Sequence, residues 1–467
     1  MGIMAKLKTA WRRLFGAEVK KVFGVIPQLS ETMDDWITTW NGITAGTPYW
    51  EDPEDDVHSI GFAGYIDDVT AGLVTLDLGI EVSGSARAEH LQKQADYVLA
   101  RMQDKVSEGL GNVGIIFKPN GVNTDYVSPG DFIPTDTNSN GDILGCVFRS
   151  TYTDGTWYYT RLEWHRFEDA LTENGESAKL YRITNLCYKA NSSTALGDPC
   201  PLTEVPDWAG LLPDIYIENV EKPLFAYFKN PMPNRYDRGS ALGVPIWGTA
   251  LTELRDLDIA WSRKSAEVED SKHMTFIPQD ASKYADQHRV TIPRFLFPIE
   301  MGTLEQEVKE HVATLLTDQR IKDINSILSM ISTKCGFSQG FFQLDEKSGM
   351  MTATQVEADD QETIRTIKNI RQALQLAIDD LLYAHDKMAD LYSIVPPGPW
   401  EVAYNFGDIT YNFEEDRQHH YALALQGKYP WTEYYVKYLG YSMEDAIRLL
   451  DEAQSAIQPA TAWGDEE

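Results

Sequence analysis

The sequence predicts an α+β fold, because a run of short β segments is followed by a run of long helices. Between 113 and about 190, segments rich in β-branched and aromatic residues alternate with NG, NGD, DG and NGE turns. From 240 onward, apolar residues recur every three or four positions, which indicates amphipathic helices. The first region predicts an antiparallel meander, and the second predicts helices that pack on it or on other subunits.

Length and charge limit the class of protein. The chain has 467 residues, of which 43% are hydrophobic, and its net charge is −30. At roughly 150 residues per domain, this length favours about three domains, each with its own core. The excess of acid argues against a protein that grips DNA, because phosphate contacts require clustered Lys and Arg. It does not exclude a protein past which DNA slides.

Cysteine spacing and hydropathy exclude further classes. The four cysteines form no CxxC pair, so neither a zinc ribbon nor a disulfide scaffold is indicated, and a reducing, cytoplasmic setting fits. No stretch reaches the roughly 18 apolar residues of a spanning helix. Residues 1–21 are basic and predict a short amphipathic helix, which either docks on a membrane or partner or packs on its own domain. Its apolar face consists of Ile3, Met4, Leu7, Trp11, Leu14 and Phe15.

Two loops in the first half resemble ligand sites but are interpreted as turns. After a predicted helix over 89–107, three glycines match GxGxxG, yet a helix precedes them and a strand follows. A dinucleotide site requires the opposite order. The segment from Asp136 to Gly141 opens like a calcium loop, but Val147 stands where an EF-hand needs Glu. A hairpin tip with Asx turns is the better interpretation.

The second half alternates helices with short inserts. A helix over 240–270 precedes a nearly neutral module over 272–302. The capping box Thr303-x-x-Gln306 predicts the start of a second helix that ends at Gly336. A third helix is expected from Thr352-x-x-Gln355 to a point before Pro396.

The third helix is the longest predicted element. Some 40 residues would span on the order of 60 Å, which exceeds one small core. Its apolar stripe, which includes Ile370 and Leu374, is therefore expected to be buried against other domains or other subunits. A strand pair, WEVAYNF and DITYNF, follows, and then a small helical end with a cap at Ser442-x-x-Asp445.

No constellation for catalysis is found. The chain lacks the nucleotide-binding motif GxxxxGK[ST] and the zinc motif HExxH. The neighbouring pairs His419-His420, Asp359-Asp360 and Asp379-Asp380 lie on predicted helices, where adjacent side chains point apart, so solvated roles are expected. We expect no enzyme, no catalytic residue, no cofactor and no metal ligand.

Two longer stretches carry a family resemblance. The stretch KNPMPNRYDRGSALGVPIWGTALTELRDLDIAWS resembles the segment that leads into the first stem helix of the portal proteins of tailed bacteriophages. The stretch CGFSQGFFQLDEKSGMMTATQVEADDQETIRTIKNIRQAL is similar to the Gram-positive siphophage branch, where the chain crosses from the second stem helix through a tunnel loop into a long helix. The resemblance covers about 85 to 455. The first stretch matches at Gly239, Ser240, Gly243, Leu254, Asp258 and Ser262.

The chain also departs from the family pattern at two points. Gln355 stands where the family usually has Glu, which preserves a capping geometry. Tyr429-Pro430-Trp431 stands where relatives often read Gly-x-Ile-Ser, so the details of the C-terminal domain are less well defined.

The resemblance implies a phage portal fold with a β-rich wing, paired stem helices, a small clip, a long wing helix and a helical crown. The implied parts are an N-terminal arm 1–59, wing 60–245, stem helix 246–271, clip 272–302, stem helix 303–335, tunnel loop 336–352, long wing helix 353–394, wing strand return 395–427 and crown 428–467.

The resemblance also implies a function. Such a protein is a homo-oligomer, a ring of twelve at one capsid vertex of the virion, assembled in the host cytoplasm. Double-stranded DNA passes through the channel, without sequence-specific binding, during packaging and ejection. The implied partners are terminase, a head-tail adaptor, and the major capsid and scaffolding proteins.

Particular residues acquire expected roles under this resemblance. The tunnel loop would use Gly340, Phe341, Phe342, Gln343, Leu344 and Gly349, although its aromatic residues could instead anchor it in the core. The channel-lining candidates are Glu267, Glu269, Asp270, Glu305, Glu307 and Glu310, which could instead form a solvated outer surface. The clip would dock partners through Lys272, Lys283, Arg289 and Arg294. Ile370 and Leu374 would lie between subunits.

Two other classes are weighed against this one. A packaging enzyme such as a terminase would need a Walker loop, which the sequence lacks. Another virion structural protein, a scaffold or a peripheral membrane protein would explain the basic N-terminal helix, but not the stem-like helix pair.

Overall fold

The computed structural model describes residues 15–450 except for 53, 55, 122, 172–176, 271–273, 279–295, 300–308, 312–315, 345–350, 354–360, 408–419, 427, 440 and 444. Helix and sheet are mixed, as the α+β prediction requires. The chain forms two compact units, a larger one up to Phe406 and a smaller one from Gly407 onward.

The helices are α1 (15–23), α2 (Glu31–Thr44), α3 (Phe62–Val74), α4 (Ala86–Leu99), α5 (Met102–Leu110), α6 (Leu251–Asp270), α7 (Thr317–Lys334), α8 (Gln361–Leu391), α9 (420–425), α10 (Trp431–Leu439) and α11 (445–450). The strands are β1 (Gly79–Ser83), β2 (Ile115–Asn120), β3 (Asn123–Val127), β4 (Phe132–Thr137), β5 (Ile143–Thr153), β6 (Tyr158–Leu171), β7 (Ser177–Ala190), β8 (Asp198–Cys200), β9 (Asp214–Ile217), β10 (Ala226–Phe228), β11 (Met274–Pro278), β12 (Leu296–Ile299), β13 (Lys309–His311), β14 (Phe342–Leu344), β15 (Met351–Ala353) and β16 (Glu401–Asn405). Among the described residues, no helix is long and apolar enough to cross a membrane.

The largest sheet is the predicted antiparallel meander. Its strands run in the order β4-β5-β6-β7-β8, and β9 also pairs with β7. β6 and β7 stay in register over their whole length, from Tyr158 opposite Ala190 to Leu171 opposite Ser177. Such an unbroken ladder follows from strands rich in aromatic and β-branched residues between tight turns.

One face of this sheet is covered by the start of the described chain. Phe15 and Val19 of α1 are buried against Ile133, Val147 and Leu162. The part of the basic N-terminal segment that the structure describes therefore packs on its own domain. This is the second of the two alternatives for that segment, and residues 1–14 lie outside the described part.

Both turns that resemble ligand sites are confirmed as turns. The GxGxxG glycines lie where α5 ends at Leu110 and β2 begins at Ile115. At the tip between β4 and β5, Asn138 Oδ1 accepts hydrogen bonds from the backbone N–H groups of Asn140 and Asp142. These are the bonds of an Asx turn, and they need no ion.

A network of buried charges connects β2, β6 and β7. Glu163 accepts hydrogen bonds from Lys118 Nζ at 2.9 Å, Arg161 Nη2 at 3.0 Å and His165 Nε2 at 2.8 Å. Burial keeps His165 neutral, and because the Glu163 carboxylate can only accept hydrogen bonds, the ring carries its proton on Nε2. Its Nδ1 then accepts from the Tyr181 hydroxyl, 2.9 Å away, and that hydroxyl accepts from the Leu224 N–H.

The network shifts two pKa values. Burial opposes ionisation of Glu163, but Lys118, the hydrogen bond from His165 and Arg161 outweigh it and hold the pKa of Glu163 well below its ordinary value. Burial lowers the pKa of His165 in spite of the neighbouring carboxylate. The cluster is therefore one anion between two cations and a neutral ring.

The longest helix, α8, lies in the core of the larger unit and is held by two buried arginines. Arg87, whose side chain is 0% exposed, donates to the carbonyl oxygens of Asp386, Val395 and Pro396 and to the carboxylates of Asp386 and Asp390. Near the other end, Arg371 donates to the carbonyl oxygens at the end of α3. The helix is thus fixed within one chain.

This placement corrects one prediction. Ile370 and Leu374, expected between subunits, are 1% and 0% exposed within the single chain. The 31-residue α8 is shorter than the predicted helix, and α3, α4, β2 and β10 pack against it, so one chain covers its apolar stripe. Neither side chain has surface left for a partner subunit.

Three predicted helix boundaries are also wrong. The helix predicted over 89–107 is interrupted at Ala100 and Arg101, between α4 and α5. The helix predicted from Thr303 begins at Thr317, because Lys309–His311 forms a strand instead. Thr352, predicted to cap the third helix, lies in β15. In the last two cases strand pairing outweighs a local capping pattern, with the distant β11 for Lys309–His311 and with the neighbouring β14 for Thr352.

The first strand of the strand return pairs with the beginning of the larger unit. β16, from the segment WEVAYNF, pairs antiparallel with β1, from Gly79 opposite Asn405 to Ser83 opposite Glu401. The second predicted strand, DITYNF, lies outside the described residues. The chain after α8 therefore returns to the larger unit near its beginning.

The described part of the smaller unit contains the helices α9 to α11. The predicted cap is confirmed, because Ser442 Oγ accepts a hydrogen bond from the Asp445 N–H and donates one to its carboxylate. Tyr421, Trp431 and Tyr434 form an aromatic cluster, with ring centroids 5.7 to 5.8 Å apart.

Candidate functional site

The candidate site is an antiparallel helix pair, α6 and α7, that carries a small sheet at one end and a hairpin at the other. The start of α6 lies beside the end of α7, where Thr249 Oγ1 donates to the Lys334 carbonyl at 3.0 Å. The end of α6 lies beside the start of α7, where Glu267 accepts from the Leu316 N–H at 2.7 Å. We call α6 and α7 the arm.

Ion pairs connect the two helices at both ends of the arm. Lys334 Nζ lies 2.6 Å from Glu253 Oε1, and Arg320 Nε lies 2.9 Å from Glu267 Oε2. The Leu316 backbone N–H and Arg320 lower the pKa of Glu267, so this carboxylate stays ionised. Each ion pair is partly exposed and contributes little to the free energy of unfolding. Together the two pairs hold α6 and α7 in register along the arm.

The small sheet lies at the far end of the arm. Its strands have the order β12-β11-β13, with β11 parallel to β12 and antiparallel to β13. α6 has 20 residues and is about 30 Å long at 1.5 Å per residue, and its last turns, beyond Ser262, lead to this sheet. The third strand extends the predicted 272–302 module to His311.

The other end of the arm is fixed in the core by a cluster of phenylalanines. Phe337, Phe341 and Phe342 pack with ring centroids 4.7 to 5.5 Å apart, and Phe62 of α3 lies 5.3 Å from Phe342. Phe341, Phe342 and Leu344 are at most 3% exposed. The prediction that these three offer apolar surface in a loop is therefore wrong, and the alternative, that they anchor the chain in the core, is confirmed.

A hairpin follows this cluster. β14 pairs with β15, from Phe342 opposite Ala353 to Leu344 opposite Met351. Gln343 is exposed between two buried neighbours, and Gly340 adopts a φ of +84°, which favours glycine. Gly349 and the rest of the hairpin tip, 345–350, lie outside the described residues. The described part of the predicted loop is thus a turn through Gly340 followed by the paired residues of this hairpin.

The residues that carry the first family-like stretch have structural roles. Asp258 accepts hydrogen bonds from Trp50 Nε1 and from the Ile60 N–H, and Ser262 Oγ accepts one from the His58 N–H. They fix the segment before α3 against α6. A Cβ at Gly243 would lie 2.7 Å from the Val113 carbonyl oxygen, so glycine is required there.

Few of the predicted channel and clip residues are described in full. Glu267 is paired within the chain, as given above. Glu269 and Asp270 belong to the last turn of α6, and Glu310 is opposite Thr275 in the small sheet. The remaining candidates lie outside the described residues; these are Glu305, Glu307, Lys272, Lys283, Arg289 and Arg294.

The acidic pair predicted to be solvated on α8 is bonded within the chain. Asp379 accepts a hydrogen bond from the Tyr404 hydroxyl at 2.6 Å, and Asp380 lies 2.7 Å from Lys222 Nζ. His420 packs edge-on against Tyr429, with ring centroids 4.5 Å apart, while His419 and Asp359-Asp360 lie outside the described residues. These residues connect elements and do not form a reactive pair.

Sequence reasoning missed the ties across the arm. Glu253, Lys334 and Arg320 are separated from their partners by 53 to 81 positions, so no local pattern reveals them.

The outer side of the arm bears an open groove of about 330 Å³. Its lining combines charges of both signs with short apolar side chains: Arg255, Asp256, Ile259, Ala260, Arg263, Arg320, Asp323 and Ile327. Over the part of the chain that the structure describes, no group of three His, Cys, Asp or Glu side chains is placed to hold a metal ion.

No protein-family model matches this chain, and no curated protein is significantly similar to it. The functional interpretation therefore rests on the geometry of the arm, its sheet and its hairpin.

Proposed function

We propose that the chain is the portal protein of a tailed bacteriophage, a subunit of the ring through which double-stranded DNA enters and leaves the capsid. The observation that carries the proposal is the arm, an antiparallel helix pair joined by ion pairs at both ends that carries a small sheet at one of them. In a ring, arms of this kind would stand side by side around a central channel.

The connections of the arm also support the proposal. The chain leaves the body through α6, returns through α7, forms the hairpin and continues into α8. A hairpin at the base of each arm would bring one tip per subunit towards the axis of a ring. This order is the one that the family resemblance implies for stem, clip, tunnel loop and long wing helix.

Charge supports a channel that does not retain DNA. Duplex DNA carries one phosphate charge per about 1.7 Å, so a cationic wall would bind it through counterion release. The net charge of −30 makes such retention unfavourable. The groove on the outer side of the arm, with charges of both signs, is suited to a neighbouring copy of the arm.

The proposed partners follow from these parts. The small sheet at the end of the arm would dock terminase during packaging and then a head-tail adaptor, and the body would contact the major capsid and scaffolding proteins. The ring would reside at the portal vertex of the virion after assembly in the host cytoplasm.

The first experiment is electron microscopy of the purified full chain with light scattering. We expect rings with a central hole and, for twelve copies of the 52.7 kDa subunit, a mass of about 630 kDa. Compact monomers at every concentration, in low and high salt, would contradict the proposal.

A second experiment tests the channel. We expect exchange of Glu269, Asp270 and Glu305 for Lys to make rings retain duplex DNA at low salt and release it as screening increases. Glu267 is left unchanged because its exchange would break the pair with Arg320. The matched control exchanges three exposed carboxylates of the body for Lys, namely Asp77, Glu81 and Glu89.

The comparison of these variants decides the location of the charges. Retention by the arm variant alone supports a lumen lined by these residues. Equal retention by both variants would mean that the carboxylates act only through net charge, and that the arm does not face the DNA.

A further inference from the structure

Two of the four cysteines lie directly opposite each other in the large sheet. Cys187 of β7 is the Cα partner of Cys200 of β8, and their Sγ atoms are 3.0 Å apart. Directly opposed residues of antiparallel strands have Cα atoms about 4.5 or 5.5 Å apart, and both values lie in the range that a disulfide spans. The backbone is thus already positioned for a bond between them.

The loop between the two strands fixes this register. Gly197, which precedes β8, has a φ of +81°, and a Cβ there would lie 2.0 Å from the Lys189 carbonyl oxygen. Only glycine fits this close approach of the two strands. The thiols therefore face each other because of the turn.

The two thiols differ in access to solvent. Cys187 is 4% exposed and packs with Leu202, Val205 and Trp208, whereas Cys200 is half-buried at the edge of the same cluster. Burial raises the pKa of Cys187 to about 12 and raises that of Cys200 as well, so both are protonated at neutral pH. Small reagents therefore reach Cys200 first, and both thiols react slowly because the thiolate is the reactive form.

We propose that Cys187 and Cys200 form an oxidisable dithiol that closes to a disulfide when the protein meets a low-molecular-weight disulfide outside a reducing cytoplasm. The Cys200 thiolate attacks the small disulfide, forms a mixed disulfide and releases one small thiol. The Cys187 thiolate then attacks the Cys200 sulfur and releases the second. Two protein thiols and one small disulfide thus become one protein disulfide and two small thiols, and each step loses one proton to solvent and returns it to a leaving thiolate.

The bond would attach β8 and the turns that follow it to the sheet. Leu202, Val205 and Trp208 lie just after Cys200 and cover Cys187 and Tyr159. A bond between positions 13 apart closes a short loop and restricts the unfolded chain. This modification is independent of the proposed function, because it requires only the register of β7 and β8.

The test treats the native full chain with oxidised glutathione at mildly alkaline pH, then denatures it, alkylates the remaining thiols and maps the peptides. We expect titratable thiols to fall from four to two, a linked peptide that contains Cys187 and Cys200, and alkylated Cys146 and Cys335, which are both buried. The thermal midpoint should rise by a few degrees and fall again after reduction.

Two variants resolve the order of attack. Cys187→Ser should accumulate glutathione on Cys200, and Cys200→Ser should take up little glutathione at Cys187. The wild-type peptide map decides the proposal even if a variant fails to fold. Four alkylated thiols after treatment, or linked peptides that pair Cys146 or Cys335 as often as Cys187 with Cys200, would overturn it.

Discussion

The buried anion Glu163 provides the sharpest test of how the large sheet is stabilised. Glu163→Gln keeps the shape of the side chain but removes the only negative charge that Lys118 and Arg161 both contact. The side chains of Glu163, Lys118 and Arg161 are 10%, 4% and 6% exposed, so water cannot replace the lost charge. Asp125, 3.5 Å from Lys118 Nζ, compensates one cation in part.

The expected loss is about 3–5 kcal/mol of unfolding free energy, as for one partner removed from a buried ion pair. The matched control is Glu168→Gln on the same strand. Glu168 also pairs with arginines, but its side chain is 41% exposed, so its loss should cost at most about 1 kcal/mol. Denaturant unfolding followed by circular dichroism at pH 7 measures both.

The pH dependence adds a second check. The folded pKa of Glu163 is depressed, so its contribution is present above the unfolded pKa of about 4.3 and is lost as pH falls through the folded value. The gap between wild type and Glu163→Gln should therefore be constant near neutrality and narrow in acid. Equal losses for Glu163→Gln and Glu168→Gln, or a gap that widens in acid, would refute the buried-anion reasoning.

Three further perturbations test other parts of the fold. Ile370→Asp should destabilise the chain by about 3 kcal/mol or more because it buries an unpaired carboxylate. The control Leu376→Asp, at a position 60% exposed on the same helix, should change the unfolding free energy by at most about 0.5 kcal/mol. Equal thermal midpoints for the two variants would place Ile370 outside the core. Burial raises the pKa of Asp67 well above its ordinary value despite the hydrogen bond from Trp247. The folded chain therefore binds this proton more tightly than the unfolded chain does, and the stability that this provides below the unfolded pKa is lost as pH rises through the folded pKa. Asp67→Asn should then gain on wild type as thermal midpoints are followed from pH 4 to 8, and a constant difference would contradict this. Replacing 345–350 with Asn-Gly, a two-residue hairpin turn between the paired ends of β14 and β15, should leave the circular dichroism spectrum intact, whereas a molten product would mean that the tip supports the core.

Local signals in the sequence identified most of the large sheet and the first helix of the arm. Turn chemistry at Asn138 and Gly141 depends on adjacent residues, so it can be recognised without a structure. The helical spacing of Leu254 and Leu257 likewise reflects burial on one face, and both are at most 3% exposed. These elements are determined by neighbours in sequence.

What could not be predicted depends on distant partners. The capping pattern at Thr303 suggests a helix, but the next described residues, Lys309–His311, pair with β11 more than thirty positions away. Phe341 and Phe342 could line a loop or fill a core, and Phe62, far earlier in the chain, decides between them. The ion pairs of the arm are unpredictable for the same reason.

The contacts of Arg87 bear on how this region tolerates genetic change. Three of its acceptors are backbone carbonyls, at Asp386, Val395 and Pro396, and every amino acid supplies a carbonyl in the same place. Point substitutions at 395 and 396 therefore leave the guanidinium its partners. An insertion or deletion between Asp386 and Val395 displaces two of these carbonyls relative to the third, so related genes should differ here in residue type and keep the spacing constant.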